Sequence, residues 1–217
     1  MELATKALCR ALKELDIAYQ SLHKAGNVLK FTIQGKEYFV CNGEGDWIGK
    51  GQALLCRDKG FQYEYLKKTG LFPHTLALCD PYLDSRYQEY IEYQSYQEMV
   101  NKVTQEFAYP MIVKPNRGSQ GVLVQKVESS EGLVQALQHV FNKKSLTYDY
   151  IGLVQEYLDI EVEYRVIIIG GRVHTVIKKD ISQAVFVGNL SPLHWDGAQA
   201  CIVRDEVLEA SIQAILN

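Results

Sequence analysis

The chain has 217 residues, 47% of them hydrophobic and 23% charged, ordinary proportions for a folded protein with room for one or two packed domains. With 23 basic and 26 acidic residues the formal charge is −3, so no global positive field gathers nucleic acid or anionic lipid, and any anion site must be local. Cys9, Cys41, Cys56, Cys79 and Cys201 are odd in number, widely spaced and free of any zinc-binding pattern, which reads as reduced thiols in a cytoplasmic protein.

The first residues lack the order of a secretory signal, and no apolar run approaches the roughly 20 residues that span a bilayer. Neither nucleic acid nor a membrane is an expected partner. Leu3, Ala7, Leu8, Ala11, Leu12 and Leu15 recur at helical spacing and predict an amphipathic helix over 2–15. The period then changes to strands over 28–33 and 37–41 around the glycine turn Gln34-Gly35-Lys36. Four glycines, Gly43, Gly45, Gly49 and Gly51, read as a loop.

Residues 60–69 look helical, with Gly70 and Pro73 as the stop. The tyrosine cluster over 82–96 lies among acids and glutamines, the wrong sign for a phosphate backbone, and reads as a partly exposed helix face. A further helix is predicted over 95–107, strands over 111–114 and 122–124, and a helix capped by Ser129 or Ser130 running to Phe141. Strands follow over 150–158, 164–169 and 173–178, the last two joined at Gly170-Gly171. An irregular loop over 187–200 and a helix over 205–216 complete the pattern.

Chemistry concentrates around Lys114. This lysine ends an apolar strand and precedes Asn116-Arg117-Gly118-Ser119-Gln120-Gly121, so an ammonium and several backbone N–H groups surround one anion. Such an arrangement suits polyphosphate, and glycine lets the backbone approach closely. The bland alternative is a hairpin turn with a solvated lysine. No Walker A loop occurs anywhere in the chain. Downstream, 153–158 is an apolar strand that turns polar at its end; its backbone can meet an adenine edge while Tyr157 or Leu158 covers a ring face. Glu163, seven residues beyond Glu156, is spaced to accept from ribose hydroxyls. Either acid alone would read as a surface charge.

Together, Arg57-Asp58-Lys59, Gly70-Leu71-Phe72-Pro73, Tyr109 to Pro115, the Gly118 to Gly121 loop, Gln155-Glu156-Tyr157 and Glu163-Tyr164-Arg165-Val166 resemble, in order, the ATP-grasp superfamily over about residues 51–180. The likeness is to its carboxylate-amine ligases: cyanophycin synthetase, glutathione synthetase-like enzymes, the RimK-type ligases and D-alanine:D-alanine ligase. The resemblance implies an α+β fold of two subdomains sandwiching ATP. It divides the chain into a short helix-and-hairpin segment (1–50), a helical linker region (51–108), a lid subdomain (109–152) and the start of a C-terminal subdomain (153–217).

By the same resemblance, Lys59 and Lys114 contact the phosphates, and Gly118, Ser119, Gln120 and Gly121 close over them. Gln155, Glu156, Tyr157 and Leu158 line the adenine pocket, with Glu163 on the ribose. Arg165 faces either the core sheet or the phosphates, and Lys178 or Lys179 stands near the terminal phosphate, a solvated strand end being the bland alternative for either. The implied reaction phosphorylates a carboxylate of an amino acid or peptide substrate, and an amine then attacks the acylphosphate; positioning and electrostatics carry it. Magnesium is expected, held by a Glu-x-Asn motif and late strands beyond residue 217, since no such triplet follows Lys179. No metal ligand is therefore assigned within the chain, which is expected to be C-terminally incomplete or naturally short, and inactive alone. A noncatalytic ATP-binding module is the alternative function. A different reaction, phosphoryl transfer or carboxylation of a biotin-type acceptor, is a third; of the histidines only His194 lies in a long loop, and beside Trp195 it reads as a packed loop residue. A homodimer is compatible with the sequence.

Overall fold

The structure, a computed structural model, describes residues 3–160, 162–185 and 196–216. It divides into two compact units, residues 1–57 and 58–217. His194 and Trp195 lie outside the described residues.

In the first unit, α1 (Leu3–Glu14) supplies Cys9 and Leu12 to a small core shared with Leu29, Phe31 and Val40. Those last three come from an antiparallel meander, β1 (Tyr19–Ser21), β2 (Val28–Ile33), β3 (Lys36–Cys41) and β4 (Glu44–Gly45), ordered β1-β2-β3-β4. Ile33 pairs with Lys36 across a two-residue turn in which Gln34 and Gly35 have φ of 50° and 79°, the left-handed pair a tight hairpin requires. The expected loop after Gly43 instead holds β4 and a helix, α2 (Lys50–Arg57). The two glycines at its start, Gly49 and Gly51, hide the helix from periodicity because the apolar residues come only from Ala53 onward.

The second unit is built on a four-stranded antiparallel sheet of order β5-β8-β6-β7: β5 (Thr75–Cys79), β8 (Ile151–Glu156), β6 (Met111–Pro115) and β7 (Gln125–Val127). Helices α4 (Tyr96–Glu106) and α5 (Ser130–Val140) cover one face. The alternation in β6 decides which side chains they meet: Met111 and Val113 are buried under the helices, while Ile112 and Lys114 point to the opposite face. Leu78 and Val154 join the helix-side core in the same register. Gly152 lets the helix pack closely there, since a Cβ on it would meet the Phe141 ring at a tight 3.1 Å. Ser95 and Ser129 cap α4 and α5 by accepting from Glu98 N at 3.2 Å and Gly132 N at 3.1 Å.

Helix α3 (Lys59–Leu66) lies against β5, ends in a 3-10 turn (Lys67–Thr69), and is stopped by Gly70 at φ 67°. The strand expected over 122–124 is a turn, with Leu123 at φ 56°, and β7 starts at Gln125. The tyrosine cluster, expected as a helix face, holds a 3-10 turn (Ser85–Tyr90) and meets α4 at Tyr96 alone. A separate antiparallel sheet, β11-β10-β9, consists of β9 (Tyr164–Ile169), β10 (Arg172–Asp180) and β11 (Gln199–Val203), with α6 (Glu206–Leu216) packed on β10. Gln213 ties that helix to the hairpin, accepting from Val173 N at 3.1 Å and donating to Gly171 O at 3.0 Å. Part of the expected loop over 187–200 is thus strand.

Candidate functional site

A cavity of about 780 Å³ opens on the face of the β5-β8-β6-β7 sheet opposite α4 and α5, within the second unit. Lys59, Lys114, Gly118, Ser119, Gln120, Gly121, Gln155, Glu156, Tyr157, Leu158 and Glu163 all line it, so residues spread over more than 100 positions of sequence converge on one space. Ile112, Val124, Ile160 and Ile181 add an apolar lining that sequence reasoning did not single out.

Lys114 reaches the cavity because strand alternation turns it away from α4 and α5. Its Nζ donates to Gln155 Oε1 at 2.7 Å across the β6–β8 pair, and Gln155 Nε2 in turn donates to Thr75 Oγ1 at 2.8 Å on β5. The Thr75 hydroxyl donates to Pro73 O at 2.8 Å, which completes a relay from three strands that fixes the ammonium. Burial, reinforced by the positive charge of Lys59, pushes Lys114 down to about 8. Lys59 is also lowered by burial, against the pull of Asp149 and Asp58. Its Nζ donates to Asn116 O at 3.0 Å and Gly118 O at 2.5 Å. Both cations are therefore held by neutral oxygens, and among the described residues neither is in an ion pair. Two half-buried ammonium groups thus face one space with neutral oxygens as their hydrogen-bond acceptors, the carboxylates of Asp58 and Asp149 acting on Lys59 from a distance.

Backbone geometry shapes the loop beside them. Gln120 and Gly121 adopt φ of 56° and 72°, and a Cβ on Gly118 would come within 3.2 Å of the Pro115 ring. The loop is anchored at its start, where Asn116 N donates to Ile151 O at 3.1 Å and Arg117 N donates to Asp149 Oδ2 at 2.7 Å. Asn116 is buried; its amide donates to Asp58 Oδ2 at 2.8 Å and accepts from Gly60 N at 2.8 Å. Asp58 also caps α3 by accepting from Phe61 N at 2.9 Å. Asp58 and Asn116 thereby set the start of the helix that carries Lys59. Asn116 directly follows Lys114-Pro115, the one sequence signal that could have marked it.

On the far wall, Glu156 accepts from His74 N at 2.7 Å and its own N–H donates to His74 O at 3.0 Å. The Tyr157 ring lies 4.4 Å from Lys126 Nζ. Glu163 accepts a hydrogen bond from Lys179, and Lys179 N donates to Glu163 O at 2.9 Å. Lys179 is buried, and its partner reaches the cavity; Lys178, its neighbour on β10, turns the other way and does not line the cavity. Arg165, exposed on β9 opposite Ile177, stands away from it as well. Among the described residues, no three of His, Cys, Asp and Glu gather as a metal site.

The second unit is an α+β fold that brings two cations and a glycine loop to one cavity. The RimK-like ATP-grasp domain family matches residues 85–212, more than half of the chain, and the chain belongs to that family. No curated protein matches it. A bifunctional glutathione synthetase from Pasteurella multocida is similar at 20% identity and a TM-score of 0.45, over 83% of this chain and 22% of that one. D-alanine–D-alanine ligase from Bacillus anthracis is similar at 18% identity and a TM-score of 0.46, over 74% of this chain and 47% of that one. VanG D-Ala:D-Ser ligase from Enterococcus faecalis is similar at 19% identity and a TM-score of 0.48, over 74% and 43%. The chain spans less than half the length of each of these solved structures.

Proposed function

We propose that the chain is the nucleotide-binding part of an ATP-dependent carboxylate-amine ligase, which joins an amino acid or peptide carboxylate to an amine through an acylphosphate. The observation that carries this reading is the pair Lys59 and Lys114, whose ammonium groups share one cavity and have only neutral acceptors. A nucleoside triphosphate supplies anionic acceptors to both. Membership of the RimK-like ATP-grasp family agrees with that assignment.

In this reading Lys59 exchanges the carbonyls of Asn116 and Gly118 for phosphate oxygens, and Lys114, oriented by Gln155 and Thr75, neutralises charge developing on the transferring phosphoryl group. Gly118, Ser119, Gln120 and Gly121 close over the phosphates. Gln155, Glu156, Tyr157 and Leu158 take the adenine, and Glu163 the ribose, with Lys179 holding the Glu163 carboxylate in place. Arg165 and Lys178 would need a rearrangement of the β9–β10 hairpin to reach the phosphates. Among the described residues no three of His, Cys, Asp and Glu gather, so no magnesium ligand is assigned and no step is routed through the ion.

Calorimetric titration with Mg-ATP tests the reading. Saturable binding is expected, and Lys114→Ala should weaken it by about a hundredfold, the cost of deleting one buried charge-assisted contact. Unchanged affinity in that variant would overturn the assignment. Saturable binding without phosphate release, against a panel of amino acids and dipeptides, would instead leave a nucleotide-binding module that does not turn over.

A further inference from the structure

The sheet face opposite α4 and α5 carries a second cavity, of about 560 Å³, next to the first and also within the second unit. Its floor is the β5–β8 edge of the sheet, where Ala77 points away from the helices, and α3 and the Ser85–Tyr90 turn form its sides. Small-molecule pockets run from about 300 to 1,000 Å³, so the space suits an organic molecule rather than an ion or a single water.

The lining chooses the chemistry. Rings of Phe61, Tyr87, Tyr90, Tyr148 and Tyr150 surround the space, and Phe61 and Tyr90 are each 63% exposed, a high cost for aromatic surface without an occupant. The charged groups there are already engaged. Asp58 accepts from Phe61 N and from Asn116; Arg117 lies 3.6 Å from Asp58 and donates to the Tyr150 hydroxyl at 2.8 Å; Glu64 accepts from Lys67 at 2.5 Å. A charged ligand would have to break one of these pairs. An uncharged ring system would stack on the aromatic walls and accept from phenol hydroxyls without doing so.

The two cavities share a wall. Along the start of α3, Asp58 and Gly60 face the second cavity while Lys59 faces the first. Along the loop, Asn116 and Arg117 face the second cavity while Gly118 to Gly121 face the first. Asn116 joins both strands of the wall through Asp58, the Gly60 N–H and the Lys59 ammonium. We propose that the second cavity binds an uncharged aromatic molecule and that its occupancy tunes nucleotide affinity through the Asp58–Asn116 wall. The binding half stands alone; the tuning half rests on the nucleotide reading above.

Coumarin, bicyclic and uncharged with a carbonyl acceptor, is the probe, titrated calorimetrically onto the full chain. Saturable one-to-one binding is expected. Ala77→Leu, which fills the floor, and Tyr90→Ala, which removes an exposed ring, should each weaken it by about tenfold, and Lys114→Ala should leave it unchanged. Two substitutions at separate positions, each checked by thermal melting, guard against a folding artefact in either. In the wild type, saturating coumarin should change ATP affinity by about threefold or more, and Ala77→Leu should abolish the change. No coumarin binding, binding insensitive to both cavity variants, or binding lost in Lys114→Ala would overturn the site. Coumarin binding with unaltered ATP affinity would overturn the tuning. If ATP itself fails to bind while coumarin binds as described, the nucleotide reading fails and the second site stands.

Discussion

Lys114 is the residue on which charge, strand geometry and pH meet. Placing its ammonium in a half-buried cavity beside Lys59 lowers it from 10.5 to about 8, and a phosphate bound there would raise it again. Below about 8 the group is charged in the free protein and binding moves no proton. Above that value binding must take up a proton, so nucleotide affinity should fall as pH rises, by up to about tenfold per pH unit. Calorimetry at pH 7 and 9 in buffers of different ionisation enthalpy reads both the affinity and the proton uptake; a flat profile would contradict the role. Lys114→Arg keeps its charge at both values and should flatten the profile, whatever its absolute affinity. For folding the sign is the reverse of the usual lysine case. The unfolded chain binds the proton more tightly between about 8 and 10.5, so this group's contribution to stability rises with pH across that window.

At the scale of elements, β6 and β8 work because alternation sends Met111, Val113 and Val154 into the helix-side core while Lys114 and Gln155 face the cavity. Helix α5 packs tightly on β8 where residue 152 lacks a side chain. Gly152→Ala would press on Phe141 and Leu137, at 3.1 and 3.3 Å, and should cost about 1–3 kcal/mol in urea unfolding. Phe141→Leu in the same chain should recover part of that loss, a coupling that a general weakening of the strand would not show. The strand β5 escaped sequence reasoning. It has five residues, follows Pro73-His74, and owes its form to pairing with β8, from Thr75 opposite Gln155 to Cys79 opposite Ile151. Helix α2 escaped because Gly49 and Gly51 mask its start.

At the scale of the molecule, both cavities and every residue placed around them belong to residues 58–217. That unit has its own core, built from α4, α5 and the four-stranded sheet. Expressed alone, residues 58–217 should keep the nucleotide affinity of the whole chain within about twofold, by calorimetry. A larger loss would assign residues 1–57 a part in the site. Among the described residues no helix is long and apolar enough to cross a membrane.

By itself the sequence determined the contiguous parts of this protein: the apolar strand ending in Lys114, the glycine loop after it, the serine caps, the hairpins, and the resemblance that family membership supports. These depend on residues a few positions apart, whose side chains and dihedrals are coupled locally. Tertiary structure alone decided the groups that orient the cations. Gln155 meets Thr75 across 80 positions, Asn116 meets Asp58 across 58, and Lys179 rather than Lys178 reaches Glu163. Such contacts follow from strand register and sheet face, and a shift of one residue in either would exchange every side chain on the wall for its neighbour.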